Sequence, residues 1–288
     1  MINLIKLIFT KIFGGNYERL DGATLFAGEY GSQREFSVIP TLYKNPIVRI
    51  PCRYEEISVF KRAMKALSAL SIQRIALLDQ FDSHKRMMSR LQFIKEELSQ
   101  IRYIQLFNEL PHMTYPGEQI YTLQQLIELT NQYTDWIHQN IPDVKVITMA
   151  PYNSIDHREF PIWGGASNTR ILKDLILYTT ADIAAVHMYG NSLSKQLQMM
   201  TLADNIREWN DEAQYKKKIW ITEIGVDGWK EHAPYYHHMV RLAVNVIKPE
   251  KTIWYRQTIA SMSAFDAEFA LECRHGHKHS PLWDELKG

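Results

Sequence analysis

The sequence predicts an α/β fold: a (β/α)8 (TIM) barrel preceded by a short amphipathic N-terminal helix. Three observations carry this expectation. Eight short runs rich in β-branched and aromatic residues recur along the chain, and helical patterns separate all but the first two. The runs are near-continuously apolar, as strands buried on both faces require. The 288 residues suit one large domain, expected over 21–288, and no low-complexity linker divides it. An open doubly wound sheet shares the alternation. However, neither G-x-G-x-x-G nor G-x-x-x-x-G-K-[ST] is present to favour a nucleotide-binding sheet, and eight strands match the barrel.

The strand runs are ATLFAG (23–28), PIVRIP (46–51), IQRIALLD (72–79), RYIQLF (102–107), VKVITMA (144–150), IAAVHM (183–188), KIWIT (218–222) and TIWYR (252–256). Helical spacing appears at 55–70, 84–100, 121–140, 168–180, 193–214 and 234–248. Leu123, Leu126, Ile127, Thr130, Tyr133 and Ile137 trace one such apolar face. Only a short, Pro-containing segment joins the first two strands, so the first helix is expected to be degenerate.

Residues 1–15 stand apart. MINLIKLIFTKIF places Ile5, Ile8 and Ile12 at helical spacing, with Lys6 and Thr10 on another face, and Gly14-Gly15 ends it. The stretch is too short to span a bilayer, and no small-residue cleavage site marks a secretory signal. Packing on its own domain and docking of residues 1–13 to a membrane surface or a protein assembly are both open from sequence. The compartment is left open too. A net charge of +1 without a basic run argues against nucleic acid. Two cysteines, Cys52 and Cys273, are too few for a disulfide framework and are expected as free thiols.

In such a barrel, chemistry gathers where strands end. Those ends read Gly28-Glu29-Tyr30, Arg49, Asp79, Asn108-Glu109, Pro151-Tyr152-Asn153, His187 with Tyr189, Glu223, then Trp254 to Arg256. One Asn-Glu pair is weak evidence, since chance places it readily. Two glutamates ending the fourth and seventh of eight strands are a stronger signal.

This pattern resembles the clan of retaining (β/α)8-barrel glycoside hydrolases that includes cellulases, mannanases, xylanases and β-galactosidases. The residues that carry the resemblance are FNEL at Asn108-Glu109, WITEIG at Glu223, IVRIP at Arg49, HMY at His187 and Tyr189, and WYR at Trp254. The tail FALECRHGHKHSPLWDELKG (269–288) resembles the clan's hairpin, Gly turn and final helix. The resemblance implies Glu109 as acid/base, Glu223 as nucleophile, and a carbohydrate substrate without cofactor or metal. It further implies that Arg49, Asn108, His187, Tyr189 and Trp254 line the site. The degenerate first helix and the N-terminal helix depart from the clan pattern.

Two carboxyl groups suit the chemistry independently. One protonates the leaving oxygen and the other attacks or stabilises the anomeric carbon; the two carboxyl groups sit about 5–5.5 Å apart in retaining enzymes and farther apart in inverting ones. Glu109 then needs a protonated resting state, and Glu223 a charged one supported by Arg49 and Tyr189. Trp163 and Trp229, on loops after the fifth and seventh strands, are candidate platforms for sugar C–H faces, although a loop tryptophan also pins a loop to a barrel. Asp79 and Glu29 are candidate hydroxyl contacts. His275, His277 and His279 alternate, but Gly276 breaks a shared strand face, so a surface turn is expected there rather than a metal site.

Two rivals remain at this stage. One is a divalent-metal barrel enzyme acting on sugars, with Glu109, His187, Glu223 and Asp79 as ligands. The other is a glycan-binding or structural barrel tethered by residues 1–13.

Overall fold

The structure, a computed structural model, describes residues 20–25, 36–79, 83–98, 100–110, 121–156, 159–160, 165–190, 192–255, 258–259, 271–273 and 278–287. The helix expected over 1–15 lies outside this set.

Eight strands form a closed barrel: β1 (Gly22–Thr24), β2 (Ile47–Pro51), β3 (Gln73–Leu78), β4 (Tyr103–Leu106), β5 (Lys145–Ile147), β6 (Ile183–Tyr189), β7 (Lys218–Gly225) and β8 (Lys251–Trp254). Each pairs in parallel with its sequence neighbours, and β8 closes on β1. Gly22 allows the close approach of β1 to β2, because a Cβ there would lie 1.6 Å from the Ile47 carbonyl oxygen.

The helices are α1 (Ile39–Leu42), α2 (Ile57–Ala69), α3 (His84–Glu97), α4 (Leu123–Asn140), α5 (Asn168–Tyr178) and α6 (Leu193–Glu212). After β7, α7 (His232–Tyr235) runs through a π-helical turn (Tyr236–Val240) into α8 (Arg241–Ile247), and α9 (Pro281–Lys287) closes the chain. Among the described residues of the first crossover, Ile39–Leu42 form the single turn α1, in keeping with the degenerate first helix that the sequence predicts. Ser83, Thr122, Ser167 and Ser192 cap α3, α4, α5 and α6 through their hydroxyls, and Thr122 with Gln125 completes a capping box. These caps sit on the barrel face where strands end, and they fix where the loops around the site enter each helix.

The core has two layers. Between strands and helices runs a continuous apolar shell. Inside the barrel lies a smaller plug of Ile47, Ile75, Ile147, Ala150, Ile183, Ala185, Trp220 and Ile253. Tyr103 of β4 and Trp220 of β7 meet across the interior, with ring centroids 4.7 Å apart. The plug closes the end where strands begin and leaves the polar layer to the other.

The expected C-terminal hairpin is present: Glu272–Cys273 pairs antiparallel with Lys278–His279. His279 stacks on Trp283 at 4.5 Å, while His275 and His277 lie outside the described residues. Cys52 is a buried free thiol, pushed up to about 12 by burial, which suits a packing residue and not a nucleophile.

Candidate active site

Above the apolar plug, inward-facing positions turn polar: Arg49 on β2, Gln105 on β4, His187 on β6 and Glu223 on β7, all buried. The guanidinium of Arg49 organises three strands at once. Its Nε donates to Gln105 Oε1 (2.6 Å), Nη1 to Glu223 Oε1 (2.5 Å) and Nη2 to Asn108 Oδ1 (2.6 Å). A planar fork of fixed donors suits this three-way role, and an ammonium does not. The hydroxyl of Tyr189 donates to the other Glu223 oxygen, Oε2. Each oxygen of this carboxylate therefore accepts a hydrogen bond, and one donor is cationic.

Glu223 faces inward because β7 carries an extra residue. Val186 pairs with Ile221 but His187 with Glu223, and on the other side Thr252 pairs with Ile221 but Trp254 with Ile224. Both neighbours thus register a bulge at the same place. Trp220 lies in the inner plug, and Ile221 and Ile224 in the outer shell. That leaves Thr222 and Glu223 on the inner side. A bulge re-aims a side chain in this way.

Glu109 follows β4 in a left-handed conformation, φ 48°, two residues after Phe107 at φ 63°. Such non-glycine backbone costs about 1–3 kcal/mol per residue and clusters at functional sites. Apolar packing of Phe107, fully buried beside Tyr133, and the Glu109 N–H donated to Ala150 O (3.2 Å) hold the turn. The carboxyl of Glu109 is buried, and its Oε1 lies 2.6 Å from His187 Nδ1. Burial first, then the Arg49 guanidinium, hold the His187 imidazole well below its usual 6.5, so it is neutral at neutral pH.

The short strand β5 contributes through side chains. It pairs with β6 only at Ile147–Ile183. Beyond that point Thr148 Oγ1 accepts from Ala185 N–H (3.0 Å), Ser154 Oγ from His187 N–H (3.1 Å), and Asn153 Oδ1 from Tyr189 N–H (3.3 Å). Hydroxyl and amide groups thus continue a ladder that the strand abandons, and they hold the end of β6 in place.

Arg49, Asn108, Glu109, His187, Tyr189 and Glu223 converge. Asp79 borders them, buried at the end of β3 and bonded to Arg53 (3.1 Å). Burial raises its carboxyl above the usual range, against the pull of Arg53, Arg90 and Arg49. Trp229 is half-buried at the start of a 3-10 turn (Trp229–Glu231) after β7, and its Nε1 has no hydrogen-bond partner among the described residues. Trp163, Glu29, Tyr30 and Arg256 lie outside the described residues.

Trp254 is not brought into the cluster. It is fully buried in the outer shell against His232 and Tyr235, with centroids 5.2 and 6.0 Å away. Ile253 points inward, so alternation turns Trp254 outward and Tyr255 back in. Tyr255 meets the Tyr189 ring edge-on at 6.1 Å, and Tyr152 stacks with the Tyr189 ring at 5.9 Å. Sequence reasoning missed Gln105, Ser154 and Tyr255. Period-two alternation was the available signal for Tyr255 from Ile253 and for the inward facing of Gln105 from Tyr103, but nothing in sequence marked Gln105 as the partner of Arg49.

Glu109, His187 and Glu223 each offer a ligand atom within 4.8 Å of the other two, a donor set able to hold a divalent cation. Arg49 opposes this use, because it places a fixed positive charge 2.5 Å from Glu223.

No protein-family model matches the chain, and no curated protein matches its sequence. Solved structures do resemble it. An endo-1,4-β-mannanase from Rhizomucor miehei superposes with a TM-score of 0.61 at 10% identity, covering 93% of this chain and 94% of that one. A psychrophilic glycoside hydrolase family 10 endo-β-1,4-xylanase gives 0.62 at 10% identity, covering 96% and 99%. An active-site mutant of the Rhizomucor miehei β-1,3-glucanosyltransferase, in complex with laminaritriose, gives 0.59 at 15% identity, covering 91% and 96%. At these identities the likeness is one of fold. Over nearly its whole length, the chain has the (β/α)8-barrel fold of these glycoside hydrolases.

Proposed function

We propose that the chain is a retaining glycosidase that cleaves a polysaccharide or oligosaccharide by double displacement. Glu109 serves as acid/base and Glu223 as nucleophile. The observation that carries this reading is the approach of the two carboxyl groups, with oxygen atoms within 4.8 Å of each other. Such an approach is nearer to the roughly 5–5.5 Å between the carboxyl groups of retaining pairs than to the roughly 6.5–9.5 Å of inverting ones, and it supports the retaining reading.

Each neighbour has a part in this reading. Arg49 and Tyr189 hold the Glu223 carboxylate oriented toward the anomeric carbon. Glu223 attacks that carbon while Glu109 passes its proton to the leaving oxygen. The Glu109 carboxylate then takes a proton from water, which attacks the same carbon and releases Glu223. Because Arg49 can only donate, the oxygen of the Asn108 amide faces it, and the NH2 group is left for the sugar 2-hydroxyl. Trp163 and Trp229 are offered as stacking platforms, and Asp79 as a contact for a substrate hydroxyl.

The test is reducing-end release from a panel of polysaccharides, comparing wild type, Glu223→Gln and chelator-treated wild type. Activity that survives chelator and collapses in the variant supports the two-carboxylate reading. A second reading, a divalent-metal enzyme, rests on the Glu109–His187–Glu223 set and is favoured by loss of activity to chelator. Oligosaccharide binding without turnover in any arm favours a glycan-binding barrel.

A further inference from the structure

Four buried side-chain atoms inside the barrel have no hydrogen-bond partner among the described residues: Thr24 Oγ1, Gln105 Nε2, His187 Nε2 and Thr222 Oγ1. They come from β1, β4, β6 and β7, and each belongs to a residue that neighbours a member of the Arg49–Glu223 pair. Thr24 is in register with Arg49, and Gln105 is bonded to Arg49. His187 is in register with Glu223, the residue after Thr222. Tyr103 and Trp220 touch across the interior. Gln105 and Thr222 each stand two residues above them on the same inner faces, about 7 Å higher at the rise of a strand. The orphan atoms therefore gather around one buried ion pair, above the apolar plug.

The chemistry of the set is defined. Arg49 Nε fixes the Gln105 amide with its oxygen toward the guanidinium, so Nε2 is a donor that points away from it. The threonine hydroxyls donate or accept. His187 is neutral and carries one ring proton, and its Nδ1 is committed to Glu109. Donors and acceptors that are buried, convergent and mutually unbonded are the lining of an internal water site, in which a water commonly makes about three hydrogen bonds.

We propose that an ordered water is held inside the barrel by Gln105 Nε2, Thr222 Oγ1 and His187 Nε2, with Thr24 Oγ1 at its edge, and that it fixes the His187 tautomer. The water accepts from the Gln105 amide and donates to His187 Nε2. The ring proton then resides on Nδ1 and is donated to Glu109 Oε1. With Oε1 occupied as an acceptor, the carboxyl proton of Glu109 sits on Oε2, the oxygen that turns to the leaving group. Gln105 and Thr222 are positioning residues in this arrangement, acting on Glu109 through the water and His187. This tautomer argument rests on the reading of Glu109 as the proton donor.

The test has two readouts that do not depend on turnover. An atomic-resolution crystal structure of the full chain is expected to show the water within hydrogen-bond distance of Gln105, Thr222 and His187. Nitrogen-15 NMR of the labelled chain is expected to show His187 protonated at Nδ1. In Thr222→Val the water site is lost and the NMR signal moves toward a tautomer mixture, while Thr222→Ser keeps both. With substrates in hand, Thr222→Val is expected to lower kcat/KM about tenfold for poor leaving groups and less than about twofold for activated aryl ones, a part of the value of general acid catalysis. A barrel interior with no water density, or wild-type His187 protonated at Nε2, overturns the proposal. Absence of turnover with water and tautomer in place instead counts against the glycosidase reading alone.

Discussion

Arg49 and Glu223, 174 residues apart in sequence, meet across the barrel with Nη1 2.5 Å from Oε1. The contact links β2 to β7, and through Gln105 and Asn108 it also ties in β4 and the turn that carries Glu109. A single guanidinium therefore sets the relative positions of both carboxylates. Arg49→Lys keeps the charge but cannot make all three bonds, leaving buried acceptors unpaired. The expected loss in kcat/KM is about 10²–10³-fold, comparable to the removal of a preorganised donor. Steady-state kinetics on the best substrate of the panel measures it.

Tyr189 supplies the second donor to Glu223. Burial, then the Glu223 and Glu109 carboxylates and Tyr255, push its hydroxyl well above 10, so it remains a donor throughout the working range. Tyr189→Phe is expected to lower kcat by about 10²-fold with little change in melting temperature. A change in melting temperature without a loss in kcat would assign the hydroxyl a purely structural role.

His187 links the site to pH-dependent stability. Its folded-state pKa lies well below 6.5. As pH falls through 6.5 the unfolded chain takes up a proton that the folded chain refuses, so stability falls. Above 6.5 both states are neutral and this dependence vanishes. Urea midpoints measured from pH 7.5 down to 5 are expected to decline less steeply in His187→Gln than in wild type.

Trp254 packs in the outer shell, whereas Tyr255 meets the ring of Tyr189. Trp254→Phe opens space in the outer shell and is expected to cost about 1–3 kcal/mol of stability while leaving kcat within about twofold. Tyr255→Ala is expected to do the reverse, raising KM with a smaller stability loss. Denaturant unfolding and kinetics on the same two variants decide the assignment.

The fold was legible because a parallel barrel buries strands on both faces, and each apolar run stands out between helical patterns. The ends of β4, β6 and β7 were legible because polar residues interrupt those runs abruptly. Three features were not. The bulge at Thr222-Glu223 is a property of pairing with two neighbours, and strict alternation from Trp220 would have turned Glu223 outward. Trp254 matched a motif by residue type, but its facing is set by the inward Ile253. The ladder supplied by Thr148, Ser154 and Asn153 depends on where β5 stops, and side chains that replace a strand leave no periodicity to read.

The most direct measurement of the central claim is identification of the covalent intermediate. The full chain is incubated with activated 2-deoxy-2-fluoro glycosides of glucose, mannose, xylose and galactose, digested, and analysed by peptide mass spectrometry. The account predicts a glycosyl adduct on Glu223, absent in Glu223→Gln. An adduct on another residue, or turnover of the parent glycosides with inverted anomeric configuration and no adduct, would contradict it.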